Sequence, residues 1–218
     1  MTIKLILFDL DGTLVDTVTD IRNALNYALT PYGTKNLSVE QTKNLIGEGI
    51  NRLIEKCLGK EGVQWRDAAI TRFLDYYSKH LIDNSTVYPC VRETLDKLGG
   101  YKKAIISNKK EDLSRDLLEK LDLLKHFELI IGSDTASERK PSAVPVIYAL
   151  AKFNIGPHEA VIVGDSNYDI EAGEKAGVKT IAVTYGYRER RYLLAADHII
   201  NSFNALFPVL DIISAELI

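Results

Sequence analysis

Asp9 and Asp11 stand two residues apart at the end of an apolar run, ILFDLDGTLVDT over residues 6–17, with Gly12 directly after them. Like charges that close repel, and Ile6, Leu7, Phe8 and Leu10 beside them take both partly out of water. A divalent cation offsets both costs. Taken alone, the pair also fits a solvated turn after an edge strand. What weighs against the solvated turn is the order of later residues: Ser107-Asn108, then Lys140-Pro141, then Gly164-Asp165 with Asp169 four residues on.

Phosphoryl transfer has a use for each of these types. Magnesium takes oxygen ligands in octahedral geometry, typically one or two carboxylates completed by water and a phosphate oxygen. Asp9, Asp165 and the backbone carbonyl of Asp11 can supply the protein's share. One carboxylate can attack phosphorus and form an aspartyl-phosphate, while a second protonates the leaving oxygen and later deprotonates water. A serine hydroxyl and a lysine ammonium can hold the phosphoryl oxygens, where positioning and electrostatics supply most of the rate. Gly12 allows a sharp turn that aims backbone N–H groups the same way. Each residue also has a plainer role: Ser107-Asn108 a loop pair, Lys140 an exposed lysine before a helix, Asp169 an acid at a helix N-terminus, Gly47 and Gly49 helix punctuation.

The elements that must position these groups are readable from apolar patterning. Runs at 4–8, 102–107, 128–132, 160–164 and 179–184 are rich in Ile and Val and lack polar alternation, which suits strands buried on both faces of a parallel sheet. Helical spacing over Glu111–Leu121, Pro141–Phe153 and Tyr168–Ala176, and again in the tail from Ser202, alternates with them. That pattern predicts an α/β fold with right-handed crossovers. Ligands in such sheets gather beyond the carboxyl ends of the strands, where the acids, the serine and the lysine all fall. About 90 residues separate the first run from the second, far more than a crossover needs. Three helical stripes occupy most of that interval: Ile21, Ala24, Leu25, Ala28 and Leu29; Ile50, Leu53, Ile54 and Leu58; Ile70, Phe73, Leu74, Tyr77 and Leu81. The expectation is a discontinuous catalytic core, 1–15 and 86–218, with a helical insertion over 16–85 that lies above the aspartates like a lid and opens about linkers near 15–17 and 83–88.

The 218 residues are 46% hydrophobic and 26% charged, with a net charge of −3, and no basic run is interleaved with aromatics, so nucleic acid is not an expected partner. Cys57 and Cys90 fit no zinc spacing and read as reduced thiols, and the four histidines are scattered. No stretch approaches the ~18 apolar residues of a membrane span, and no signal-peptide pattern opens the chain. The expected setting is cytoplasmic, without membrane contact, and with the oligomeric state, monomer or homodimer, left open.

In that order, DLDGT, SN, KP and GDSNYD resemble the four motifs of the haloacid dehalogenase superfamily of phosphohydrolases, whose core is Rossmann-like. The resemblance spans the whole chain. It implies Asp9 as nucleophile, Asp11 as general acid/base, Asp9, Asp11 and Asp165 at a Mg2+ ion, and Lys140 in catalysis and phosphate binding. Gly12, Thr13, Ser107 and Asn108 would complete the phosphate site, and Asp169 would orient a water or Lys140. The insertion resembles a C1 cap, and its loop through Gly47 and Gly49 would reach the substrate. IGEGINRLI at 46–54, VYPCV at 87–91 and SNKKEDL at 107–113 are most similar to the phosphoglycolate phosphatase branch, although Cys90 stands where glycine is frequent. Arg52 has the charge to meet a substrate carboxylate, yet an arginine on such a helix is usually solvated. The implied activity is magnesium-dependent hydrolysis of a small phosphorylated metabolite, 2-phosphoglycolate first. A β-phosphoglucomutase-like phosphotransferase, another small-metabolite or pyrophosphate phosphatase, and a catalytically silent binding protein are the alternatives.

Overall fold

The computed structural model describes residues 2–216. In chain order, β1 (Leu5–Phe8) and the short β2 (Val15–Asp16) precede helices α1 (Val18–Leu29), α2 (Val39–Leu45), α3 (Gly49–Leu58) and α4 (Arg66–Tyr77). Then come β3 (Thr86–Val87), α5 (Val91–Lys97), β4 (Lys102–Ile106), α6 (Glu111–Lys120), β5 (Leu129–Ile131) and α7 (Val144–Phe153). β6 (Ala160–Gly164), α8 (Asn167–Ala176), β7 (Lys179–Val183), β8 (His198–Ile200) and α9 (Leu206–Glu216) finish the chain.

Six strands form one parallel sheet in the order β5-β4-β1-β6-β7-β8. β1 lies between β4 and β6, with Phe8 opposite both Ile105 and Val163. The chain builds outward from β1 on one side and returns to build on the other. That reversal leaves a crevice beyond the carboxyl end of β1. Successive residues of β1 serve opposite faces. Leu5 and Leu7 pack with Val146 and Ala149 of α7 and Ala172 of α8, whereas Ile6 and Phe8 join Leu117 of α6 and Phe203, Leu206 and Leu210 toward the carboxyl terminus. Cover on both faces explains why the strand runs carry no polar alternation. No helix of the described residues is long and apolar enough to cross a membrane.

Four differences from the sequence reading have local causes. α7 starts at Val144 rather than Pro141, because Ser142 turns back on Arg139 and its hydroxyl accepts the Val144 N–H at 3.2 Å. α4 stops at Tyr77, and Leu81 of its expected stripe is buried from the turn beyond, where Lys79 and His80 donate three residues back. α2 is polar and short; it is started by a capping box in which Ser38 accepts from Gln41 N–H and Gln41 accepts from Ser38 N–H. β8 adds a sixth strand, three residues long, paired to β7.

The helical segment joins the sheet through an antiparallel ribbon of two residues a side, Val15 opposite Val87 and Asp16 opposite Thr86. Asp20, in the first turn of α1 and 1% exposed, ties this joint together. Its carboxylate accepts from Asn84 N–H at 2.9 Å and Asn84 Nδ2 at 2.8 Å, and from Ser85 N–H at 2.8 Å and Ser85 Oγ at 2.7 Å. Replacing it strands those buried donors. Asp20→Ala is expected to lower unfolding stability by about 3 kcal/mol, read as a drop in denaturant midpoint at unchanged slope; a shift within error would show that the joint does not depend on this carboxylate.

Candidate active site

Three strand ends set the site. Asp9 follows β1, Ser107 follows β4 and Asp165 follows β6. Lys140 arrives from the loop before α7, and its ammonium, 3% exposed, lies 2.8 Å from Asp9 Oδ1 and 2.5 Å from Asp169 Oδ1. The third donor direction goes to the Ile106 carbonyl at 2.6 Å. Asp169 makes contacts on two sides at once. Its Oδ2 accepts from Ser166 N–H and Oγ at the start of α8, while Oδ1 holds Lys140.

Asp165 takes the backbone N–H of Tyr187 on Oδ2 at 2.6 Å, and the Thr13 hydroxyl stands 3.5 Å from Oδ1. Gly12, at φ +90, permits this approach: a Cβ there would lie 2.4 Å from Asp165 Oδ2. The carboxylates of Asp9, Asp165 and Asp169 therefore form one cluster, each offering an oxygen within 4.8 Å of the others.

The Asp11 carboxylate stands outside that cluster. Its Oδ1 accepts from the Thr17 hydroxyl at 2.6 Å and pairs at 2.5 Å with Lys109, whose side chain is 6% exposed. The Lys109 ammonium also donates to the hydroxyl of Tyr77, on α4, at 2.9 Å. One lysine thus joins the first motif to the helical segment. Tyr187 makes a parallel link, accepting from Thr17 N–H at 2.7 Å and donating to Asp16 at 3.1 Å.

Gly47 and Gly49 lie against the same crevice. Asn108 Nδ2 donates to the Gly47 carbonyl at 2.6 Å and to the Lys140 carbonyl at 2.9 Å. Gly47, at φ +121, is enclosed; a Cβ would meet the Tyr168 ring at 2.9 Å and the Arg188 guanidinium at 3.2 Å. Arg188 donates to the carbonyls of Lys43, at 2.7 Å, and Ile46, while the Tyr168 hydroxyl donates to Glu48 at 2.8 Å. Arg52 is exposed and pairs with Glu55 at 3.0 Å, away from the residues lining the crevice. Asp9, Asp11, Ser107, Asn108, Lys140 and Asp165 all line one pocket with Gly47 and Gly49. Its roof is apolar, from Ile21, Ile46, Ile50, Leu53, Phe73 and Leu74. Sequence reasoning missed Lys109, Tyr77 as a polar group, Tyr187 and Arg188. The available signal was position: SNKK and TYGYR directly follow strand ends.

Burial drives the Asp9 carboxyl well above the usual carboxylate range; Lys140 pulls it back, and Asp169 and Asp165 push it further up. Burial also pushes Asp165 up to about 7, with Asp169 adding to it. Burial works against the Lys140 ammonium, but Asp169 and Asp9 outweigh it and hold its pKa above that of ordinary lysine. Lys109 is raised in the same way, against burial, by Asp11 and Tyr77. The cluster is short of positive charge. All-oxygen donors, two of them carboxylates driven toward their protonated forms, fit a hard divalent cation.

The haloacid dehalogenase-like hydrolase family model matches residues 6–183. A phosphoglycolate phosphatase of Chromobacterium violaceum is 39% identical over 216 residues, covering 95% of this chain and 96% of its own. A phosphoglycolate phosphatase of Aquifex aeolicus is 40% identical over 190 residues, 84% of this chain and 86% of its own. A crystal structure of a predicted phosphoglycolate phosphatase from Haemophilus somnus superposes with a TM-score of 0.87 at 28% identity, covering 96% and 98% of the two chains. Likeness of that extent, in sequence and in fold, admits one assignment: the chain belongs to the haloacid dehalogenase-like hydrolase family.

Proposed function

We propose that this hydrolase is a phosphatase that cleaves small phosphomonoesters with magnesium, 2-phosphoglycolate first among them, through an aspartyl-phosphate on Asp9. The observation that carries this reading is the meeting of Asp9, Asp165, Asp169 and Lys140 at the carboxyl edge of the sheet. Relatives whose names specify phosphoglycolate, matched along nearly the whole chain, support the substrate.

The roles follow from the contacts. Lys140 holds one Asp9 oxygen, which orients the carboxylate and leaves the other to attack phosphorus. Ser107 receives a phosphoryl oxygen, with the Lys140 charge close by, while the N–H groups of the Gly12 turn are taken by the Val15 and Leu10 carbonyls and shape the turn instead. Asn108 holds the Gly47 carbonyl, and so keeps the 46–49 loop over the bound ester. Asp11 protonates the leaving oxygen and then takes a proton from water, held for both steps by Thr17 and Lys109. Magnesium, carried by Asp9, Asp165 and the Asp11 carbonyl, would neutralise charge on the phosphoryl group. Residues 16–85 act as the cap, and its apolar roof excludes water from the ester.

Hydrolysis of p-nitrophenyl phosphate with magnesium is expected to vanish with EDTA and to fall at least about a thousandfold in Asp9→Asn. Full activity in either case overturns the mechanism. A panel of phosphorylated metabolites is expected to place 2-phosphoglycolate first, and product analysis with a labelled sugar phosphate separates hydrolysis from transfer.

The raised Asp165 carboxyl, about 7 against an ordinary 3.8, gives the ion-free protein a definite pH dependence. A folded state that binds the proton more tightly gains stability from this group at low pH and loses it as pH rises through about 7. A cation requires the ionised form and reverses that loss. The gain in melting temperature from magnesium, measured against EDTA, is therefore expected to grow from about pH 5 to about pH 8; a gain that is constant or shrinks counts against an ion at this cluster.

A further inference from the structure

Most charge lining the pocket is already matched. Lys140 lies between Asp9 and Asp169, and Lys109 is paired with Asp11. Two lining cations, Lys110 and Arg188, have no carboxylate within ion-pairing distance among the described residues. They differ in how they are held. The Lys110 ammonium makes no hydrogen bond among the described residues, whereas Arg188 is fixed by the Lys43 and Ile46 carbonyls and lies 6.0 Å over the Tyr168 ring. Two carbonyl acceptors do not neutralise a guanidinium, and an arginine has five N–H donors to place. A fixed, half-buried charge that has no ion-pair partner, and only the more distant Asp165 to offset it, is costly beside an apolar roof and attractive to an anion that fills the pocket.

Resting on the phosphatase reading, we propose that Arg188 reads a second anionic group on the substrate, a carboxylate a few bonds from the ester phosphorus. The planar guanidinium suits a carboxylate by its fork geometry, and its anchorage means little ordering is needed on binding. The same two anchoring bonds hold the segment just before Gly47, so the residue that selects the acid also sets the loop above it. Arg188 therefore takes the part for which sequence alone offered Arg52, which faces solvent and Glu55.

Calorimetric titration of the magnesium-loaded protein with two non-hydrolysable probes tests this: phosphonoacetate, which carries the carboxylate, and ethylphosphonate, which lacks it. Wild type is expected to prefer phosphonoacetate by about tenfold or more. That preference is expected to disappear in Arg188→Gln and to survive in part in Arg188→Lys, which keeps the charge but loses the fork. Equal affinity of wild type for the two probes overturns the proposal, whatever the variants do. So does a preference that persists in Arg188→Gln, or one that is lost in Lys110→Gln instead. Binding is read without turnover, so this result and the Asp9→Asn assay can fail independently.

Discussion

Three buried carboxylates gather at the edge of the sheet around one buried ammonium that pairs with two of them, and most of the architecture can be traced to keeping them there. Charges taken out of water are tolerated only where geometry and hydrogen bonds are nearly complete. The completeness here is drawn from distant parts of the chain. β1 and β6 bring Asp9 and Asp165 side by side, α8 begins on Asp169, and the loop before α7 sends in Lys140. Even the backbone contributes, through the Ile106 carbonyl under Lys140 and the Tyr187 N–H on Asp165. One ammonium cannot balance three ionised carboxylates, and the upward push on Asp9 and Asp165 records that shortfall, which is unlike a self-sufficient stabilising ion network.

The strands that build this edge were legible because they are buried on both faces: a run such as AVIVG at 160–164 has no polar position to blur it. β8 escaped notice because three residues, His198 to Ile200, carry too little pattern. The two-residue arms β2 and β3 exist only as partners of each other. α2 left a signal that periodicity does not capture, the serine and glutamine three apart that cap its first turn.

Within the pocket, the residues legible in advance were those whose chemistry is unusual in sequence, acids after apolar runs and a lysine before proline. Lys109 was not, because in KKED it is one of two adjacent lysines, and only burial against Asp11 distinguishes it. In sequence Tyr77 falls in an apolar stripe; its ring does pack that way, 5.2 Å from Phe73, while its hydroxyl turns to Lys109. Arg188 belongs to a run of charges, RERR, that reads as surface until the fold lays it across Ile46. The pattern is consistent: side chains whose importance comes from a partner far away in sequence leave no local trace.

The bonds between the helical segment and the sheet share a property. Tyr77 to Lys109, Gly47 to Asn108, Lys43 and Ile46 to Arg188, and Tyr187 to the Thr17 N–H each join a charged or amide donor to a neutral oxygen. Tyr168 to Glu48, Thr17 to Asp11 and Tyr187 to Asp16 each join a neutral donor to a carboxylate. Among the described residues, no ion pair runs between residues 16–85 and the rest. Two acids at the seam have their counter-charge on their own side, Asp11 with Lys109 and Glu48 with Lys56, and Asp16 is met across it by the neutral Tyr187 hydroxyl. Were the two parts to separate, water could replace these partners and no ion pair would be broken. Dissolved salt would have correspondingly little hold over such a parting, because the seam is wettable and free of ion pairs while the pocket beside it is strongly charged.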